Sequence, residues 1–170
     1  MNCADILDLY NYTEWANERI ASALLPLSSE TFNRFWGGSH PSLRDAFSHI
    51  VASEWAWLER WHGVNPKEPP GWMDGTEAAP LVEEMRRVNA RRASYLRGLT
   101  DGDLDATLAF TFMSGKAGAH RLSDLLVHVA NHSTYHRGQV ASMLRQAGVV
   151  PPATDFVYYR AETEPARHDS

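Results

Sequence analysis

Apolar residues recur at steps of three and four along four stretches of this chain, which is the spacing of one face of an α-helix. The pattern predicts helices over about residues 3–26, 43–62, 81–99 and 121–147. Residues that start or stop helices stand at the ends of these stretches. They are Pro26, the capping sequence from Ser42 to Asp45, Gly63, and Gly148 followed by Pro151.

The segments between the predicted helices differ in character. Residues 64–80 are rich in proline and glycine and predict a long surface loop between helices two and three. Residues 107–112 alternate apolar and polar side chains, which predicts a short β-hairpin before the last helix, turning at residues 114–118. Residues 154–160 are apolar enough to dock on the helices, and the tail from about residue 161 is expected to fray. The predicted fold class is all-α, an antiparallel four-helix bundle.

Composition narrows the classes of function. A chain of 170 residues with ordinary apolar content predicts a single domain, residues 1–170. The net charge of −5 argues against a nucleic-acid-binding surface, and Arg86, Arg87, Arg91 and Arg92 are expected to be solvated on a mixed-charge helix. No segment has the apolar length of a membrane span, Cys3 has no disulfide partner, and the N-terminus lacks a signal-peptide pattern. A cytoplasmic protein is therefore expected.

The strongest chemical signal is the sequence HVANHSTYHRGQ, in which His128, His132 and His136 recur at intervals of four. On a helix, residues four apart lie about one turn and about 40° from each other, so two imidazoles can converge on one metal ion. The third histidine lies about 80° away from the first, too far around the helix to join them comfortably. Two of the three are therefore expected as ligands, and a further ligand must come from another helix.

His49 is the best candidate for that further ligand. It lies at the edge of the apolar face of helix two, beside the small residues Ser53 and Ala56, which leave room at a helix seam. His168 is in the tail, and His40 precedes a proline at the start of a helix. Two imidazoles from one helix, one from a neighbour and an open cavity are what a catalytic metal pocket needs.

Glu54 falls within the apolar face of helix two, where burying a carboxylate without a partner is costly. Arg137, directly after His136, is one predicted partner. A second interpretation is that Glu54 supports a metal ligand through a hydrogen bond. A plain structural ion pair, or a carboxylate that reaches solvent past the rim of the helix, is an equally good interpretation.

The segments FSHIVASEWAWL at residues 47–58 and HVANHSTYHRGQ at residues 128–139 resemble the DinB/YfiT-like family of bacterial four-helix metalloproteins. The resemblance extends from the first helix to Asp155. It implies a divalent metal ion bound by His49, His132 and His136. His128, Glu54 and Arg137 are then expected beside these ligands. Nickel or zinc is the expected ion, with iron, cobalt or manganese as alternatives.

The family resemblance also implies a homodimer, a role in stress response and, in certain relatives, reactions that use small thiols such as bacillithiol or mycothiol. Three neutral imidazoles leave a coordination position open, which suits a metal-dependent hydrolase or thiol-dependent transferase. The alternative is a non-catalytic protein that binds a metal or a small ligand. No partner nucleic acid or membrane is expected in either case.

Overall fold

The computed structural model describes residues 1–163 and is mostly helical. A two-stranded antiparallel sheet precedes the last long helix, so the predicted all-α bundle with a hairpin is confirmed. Three short helices and a 3-10 turn were not predicted. In chain order the elements are α1 (Cys3–Leu24), α2 (Ser29–Asn33), α3 (Leu43–Trp61), the 3-10 helix (Gly71–Asp74), α4 (Ala78–Arg97), α5 (Asp101–Leu104), β1 (Thr107–Thr111), β2 (Ala117–Arg121), α6 (Leu122–Gln146) and α7 (Phe156–Thr163).

Local chemistry sets the ends of the long helices. The Asn2 side chain accepts a hydrogen bond from the backbone N–H of Asp5, and Ser42 does the same for Asp45, so each satisfies one free donor of a first turn. Gly63 and Gly148 follow α3 and α6 with φ of 84° and 79°. That left-handed conformation suits glycine and stops a helix.

Helices α1 and α3 each pack against both α4 and α6, which places α1 diagonally opposite α3. Two of the four neighbouring pairs run antiparallel, as the sequence predicts. The contacts that show the direction are Trp57 with His128 and His49 with His136 between α3 and α6, and Cys3 with Leu99 and Glu18 with Arg86 between α1 and α4.

The other two neighbouring pairs run parallel. Tyr10 of α1 donates a hydrogen bond to the carbonyl of Leu126 at 2.9 Å, and Arg137 donates one to Asn17 Oδ1 at 3.0 Å, so α1 and α6 advance together. The long loop after α3 then returns the chain to the end where α3 begins, so that α4 starts beside it. This crossing places the 3-10 helix against α3 and α4.

One apolar core fills the bundle and extends to the hairpin. Phe110 is buried and packs edge-on against Trp57, with their ring centroids 4.9 Å apart. Gly118 lies opposite Phe110, where an added Cβ would come within 2.6 Å of the Phe110 ring. The absence of a side chain at this position lets the hairpin close over the aromatic side of α3.

The segment after α6 docks on the bundle, which confirms the prediction for residues 154–160. Tyr159 of α7 is buried and packs edge-on against Tyr12 of α1. Helix α7 continues to Thr163, which corrects the expectation of fraying for residues 161–163. The rest of the predicted tail lies outside the described residues. No helix within residues 1–163 combines the length and the apolar character that crossing a bilayer requires.

Candidate metal centre

Four histidines meet where α3 faces α6. His49 projects from α3, and His132 and His136 project from successive turns of α6. The Nε2 atom of His132 lies 3.3 Å from Nε2 of His49 and 3.1 Å from Nε2 of His136. His40, in the loop before α3, stacks on the His49 ring with the centroids 4.0 Å apart. The structure therefore places the three predicted ligands together and adds a fourth imidazole.

The short separations between the nitrogen atoms match those of ligands on one ion. With bonds of about 2.0–2.1 Å, two imidazole nitrogens on a tetrahedral zinc lie about 3.3–3.4 Å apart. Adjacent nitrogens of an octahedral site at the same bond length would be about 2.9 Å apart. The two Nε2 separations around His132 fall within this range.

Hydrogen bonds alone do not account for both contacts. The Nε2 atom of a neutral imidazole either donates through one N–H or accepts through one lone pair. With one proton or one lone pair, Nε2 of His132 can form a linear hydrogen bond with only one partner at a time. It therefore cannot form linear hydrogen bonds with both His49 and His136. A cation bound beside Nε2 of His132 could accept its lone pair and those of neighbouring imidazoles, so the donor set fits a divalent metal ion.

Gln139 orients one of these rings. The Nδ1 atom of His136 lies 2.9 Å from Oε1 of Gln139, one turn further along α6, and the amide oxygen can only accept. The proton of neutral His136 is therefore on Nδ1, which leaves the Nε2 lone pair directed at His132. Histidine ligands of metals commonly have such a support. Gln139 was not predicted from the sequence, although its i, i+3 spacing from His136 is a signal for such a support.

His40 belongs to the cluster but was not predicted as a ligand from the sequence. His40, His49 and His136 each offer a ligand atom within 4.8 Å of the other two. A hydrogen bond of 2.6 Å from the Trp36 N–H to the Pro41 carbonyl closes the loop that presents His40. Gly37 and its neighbour Gly38 adopt the positive φ values that this tight loop requires. A glycine pair before a helix start is a signal for such a loop, but it does not reveal what the loop covers.

Lowered pKa values favour the uncharged, metal-binding form of His49, His132 and His40. Burial, reinforced by the charges of His40, His136 and His132, lowers the pKa of His49 to about 3. Burial, with the charges of His136 and His128, lowers the pKa of His132 to about 4. Burial and His136 also lower the pKa of His40. At neutral pH these rings therefore present lone pairs instead of positive charges.

His128 lies one turn before His132, and their ring centroids are 5.9 Å apart. Its ring packs edge-on against Trp57 at 5.4 Å. Burial and the charge of His120 lower the pKa of His128, so this imidazole is also neutral at pH 7. His128 is thus a neighbour of the cluster that faces the adjoining cavity.

Glu54 lies one turn below the histidines and is only 1% exposed. It forms a buried ion pair with Arg92 of α4. Its Oε1 accepts hydrogen bonds from Asn17 at 2.9 Å and from Ser133 at 2.7 Å. Burial alone would raise the pKa of Glu54, but Arg92 and these hydrogen bonds outweigh it and lower the pKa.

This network corrects two expectations about arginines. Arg92 is 1% exposed and pairs with Glu54, so the prediction that it is solvated on a mixed-charge helix is wrong. Arg137 forms hydrogen bonds with Asn17 at 3.0 Å and with Thr134 at 2.7 Å instead of pairing directly with Glu54. Asn17 therefore links Arg137 to the carboxylate, and the structure favours the interpretation of Glu54 as a structural ion-pair partner.

Two cavities adjoin His49. We call the first, of about 700 Å³, the polar cavity; its lining includes His40, Arg44, Asp45, Glu68 and Asp74. We call the second, of about 600 Å³, the apolar cavity; its lining includes Ala52, Ala56, Trp57, Arg60, Phe112, Met113, His128 and His132. Pro69, Pro70 and Met73 of the long loop border both cavities. The histidine cluster is therefore reachable from two chemically different sides.

Known proteins show the same architecture. The chain is 32% identical over 156 residues to protein DinB of Bacillus subtilis, covering 89% of this chain and 91% of that protein. The structure of a DinB-like protein from Bacillus cereus superposes with a TM-score of 0.73 at 24% identity, covering 89% of this chain and 97% of that one.

YfiT from Bacillus subtilis, described as a probable metal-dependent hydrolase with an unusual four-helix bundle topology, superposes with a TM-score of 0.68. Its identity to this chain is 14%, covering 83% of this chain and 86% of YfiT, so the likeness concerns the fold. The model of the DinB family matches residues 1–167. With the curated relative at 32% identity, this match shows that the chain belongs to the DinB family.

Proposed function

We propose that this protein is a metal-dependent hydrolase or thiol-dependent transferase whose divalent ion is bound by His49, His132 and His136. The short distances from Nε2 of His132 to Nε2 of His49 and to Nε2 of His136, beside an open cavity, are the observations that support this proposal most directly. When bound, a divalent ion in such a site supplies Lewis acidity toward water, a thiol or a carbonyl group. Zinc and nickel both suit imidazole ligands.

The surrounding residues have distinct roles in this proposal. Gln139 keeps the proton of His136 on Nδ1 and so keeps Nε2 free. His128 faces the apolar cavity as a neutral imidazole and can accept a proton from a thiol or water held there. Trp57 and Met113 provide apolar walls that exclude water from a bound substrate. The Glu54 network below fixes α3 against α6, and with them the spacing of the three ligands.

His40 favours a second candidate function. A fourth imidazole close to His49 and His136 can complete a tetrahedral ion, which closes the site to substrates. In that arrangement the protein stores or senses a metal without turning over a substrate. The two functions make different predictions for His40→Ala. In an enzyme, the variant should hydrolyse its substrate at the same rate or faster. In a binding protein, the variant should bind the metal more weakly.

The test begins with metal loading. Purified protein is stripped with a chelator, loaded with zinc or nickel, and assayed by elemental analysis and competition titration. We expect one ion per chain, and His132→Ala should weaken binding by more than the 10–100-fold typical of losing an outer support. His62→Ala is the matched control, because His62 lies just after α3 and outside the cluster. Absence of a stoichiometric ion, or unchanged affinity in His132→Ala, contradicts the proposed site.

Turnover is tested on panels of thioesters, esters and small-thiol conjugates with the loaded protein. We expect a metal-dependent reaction that His132→Ala abolishes while circular dichroism and unfolding show an intact fold. A tight metal site with no accelerated reaction on any panel supports the binding-protein alternative. Light scattering on the same sample tests the homodimer, which we keep as a proposal from the family resemblance.

A further inference from the structure

Arg60 is a buried cation that the metal centre does not use. It lies in the last turn of α3 and is 5% exposed. No carboxylate within residues 1–163 forms an ion pair with it. Its single hydrogen bond in that range runs from Nε to the carbonyl of Thr111 at 3.4 Å. The terminal nitrogens form no hydrogen bond within residues 1–163 and are not fully enclosed by protein atoms, so they reach the cavity that Arg60 lines and are free for a ligand there.

The guanidinium is held in place by aromatic rings. Its central carbon lies 4.8 Å from the ring centroid of Trp57 and 5.5 Å from that of Phe112. Stacking on two rings and the bond to Thr111 restrict the rotamers of a long side chain. An anion that binds here therefore meets a fork of donors that is already oriented.

Arg60 lies on the same face of α3 as the metal ligand. His49, Ser53, Ala56 and Arg60 follow one another at i, i+4, i+7 and i+11, and all four line the apolar cavity. At 1.5 Å per residue, the Cα atoms of His49 and Arg60 are about 16 Å apart along the helix. The arginine side chain leans back toward the helix start, so an elongated molecule can span the remaining gap over the small residues.

The charges of the cavity define the kind of molecule that fits. Among the described residues that line the apolar cavity, Arg60 is the only one with a full charge, whereas the lining of the polar cavity contains both acids and a base. One cation without further strong donors matches a monoanion better than a doubly charged phosphate. A carboxylate suits the planar fork of arginine and the apolar walls suit a hydrocarbon chain or ring.

We propose that the apolar cavity binds an elongated amphipathic monocarboxylate, whose carboxylate pairs with Arg60 and whose other end reaches His49 and His132. The inference rests on the proposed function for its catalytic meaning, because the far end of such a molecule lies at the metal centre. It names a substrate class: a carboxylic acid that carries its reactive group several bonds away from the carboxylate. Arg60 is then a binding residue that sets orientation.

The test compares a charged probe with a neutral probe of the same shape. 4-Phenylbutyrate and 4-phenylbutyramide are titrated into metal-free protein, followed by NMR shifts or calorimetry, so that a carboxylate cannot bind to an ion. We expect the acid to bind about tenfold more tightly than the amide, the effect of one hydrogen bond to a charged group. Arg60→Met, which keeps the apolar stem, should remove this difference.

Arg44→Met is the matched control, because Arg44 lines the polar cavity and already pairs with Asp45. It should leave the preference for the acid unchanged. Equal binding of acid and amide, or a preference that survives in Arg60→Met, overturns the proposal. If Arg60 only stacks on its aromatic neighbours, Arg60→Met lowers the unfolding temperature without changing the ratio of affinities.

Metal titration of Arg60→Met separates this inference from the proposed function. Unchanged metal affinity together with a lost preference for the acid supports an anion site beside a working metal site. If wild-type protein binds no metal but still prefers the acid through Arg60, the proposed function fails and the carboxylate site stands.

Discussion

The seam between α3 and α6 contains two polar regions, one turn apart, that solve the problem of buried polarity in opposite ways. In the lower region, the carboxylate of Glu54 is surrounded by Arg92, Asn17 and Ser133, so its charge is compensated within the protein. In the upper region, Nε2 of His132 lies 3.3 Å from Nε2 of His49 and 3.1 Å from Nε2 of His136, and no carboxylate accepts a hydrogen bond from these three nitrogens within residues 1–163. The first region is satisfied by protein groups, and the second presents the kind of nitrogen atoms that a metal ion binds.

The difference separates stability from function. Removing one member of a buried ion pair leaves the other charge buried without a partner, which costs several kcal/mol of folding free energy. The Glu54 pair therefore favours the one packing of the four helices in which both charges meet. Burying neutral imidazoles at close range costs little free energy of folding, and the binding of an ion to them releases a large free energy. Changes in the Glu54 network should therefore affect the fold first, and changes in the histidine cluster should affect metal affinity first.

The largest expected effect comes from breaking the lower region. Glu54→Ala leaves Arg92 buried without its counter-charge, and we expect the free energy of unfolding to fall by about 3–5 kcal/mol. Urea unfolding of the metal-free protein measures the change. Glu83→Ala, on the exposed pair with Arg86, should alter stability by less than about 1 kcal/mol. A loss in Glu54→Ala as small as that of the control contradicts the structural role.

An intermediate effect is expected at the support of the upper region. Gln139→Leu removes the acceptor of the His136 Nδ1 proton, so the ring can adopt the other tautomer and rotate. We expect metal affinity to fall about 10–100-fold while stability without metal changes little. Competition with a chromophoric chelator measures the affinity. Gln146→Leu, at the exposed end of the same helix, serves as the control; equal affinities in the two variants would refute the role of Gln139.

A change of pH distinguishes the two regions within one experiment. The pKa of His49, about 3, and that of His132, about 4, lie below the ordinary 6.5 of an unfolded chain. Their neutral forms therefore favour the fold fully above pH 6.5, and this contribution is progressively lost as the pH falls. The pKa of Glu54 is lowered from 4.5, so its ion pair stays intact until more acidic conditions.

Urea unfolding of the metal-free protein between pH 6.5 and 5 tests this prediction. Stability should decline with falling pH in the wild type and less steeply in a variant with both His49→Ala and His132→Ala. Glu54→Ala should show the same slope as the wild type over this interval. A slope that follows Glu54 instead of the histidines would reverse the assignment of the two regions.

Local patterns predict the elements well because their causes are local. The steps of three and four reflect the 3.6-residue turn of a helix, and capping at Ser42 needs only residues up to Asp45. The hairpin follows from alternation and a glycine turn, and Phe110 indeed points into the core. The parallel directions of two neighbouring helix pairs were not predicted, because they depend on where the long loop between α3 and α4 returns the chain.

Side chains whose role depends on a distant partner could not be placed in this way. Arg92 belongs to a run of charges on α4 that is typical of a solvated face, yet a carboxylate from α3 makes its burial favourable. Arg60 likewise ends an amphipathic helix as many arginines do. Only the packing of Thr111 in β1 and of the adjacent Phe112 against Arg60 shows that the guanidinium is largely enclosed.

The sequence by itself determined the four-helix class, the hairpin and the histidines at intervals of four on the last helix, because helical periodicity and i, i+4 spacing are properties of a single segment. His49, on a second helix, was joined to them by its helical face and by the family resemblance. The tertiary structure decided which groups complete the site. His40 reaches the cluster through a closed glycine loop, and Arg92 reaches Glu54 across the bundle. Contacts between segments far apart in the chain depend on packing geometry, which a helical wheel for one segment does not contain.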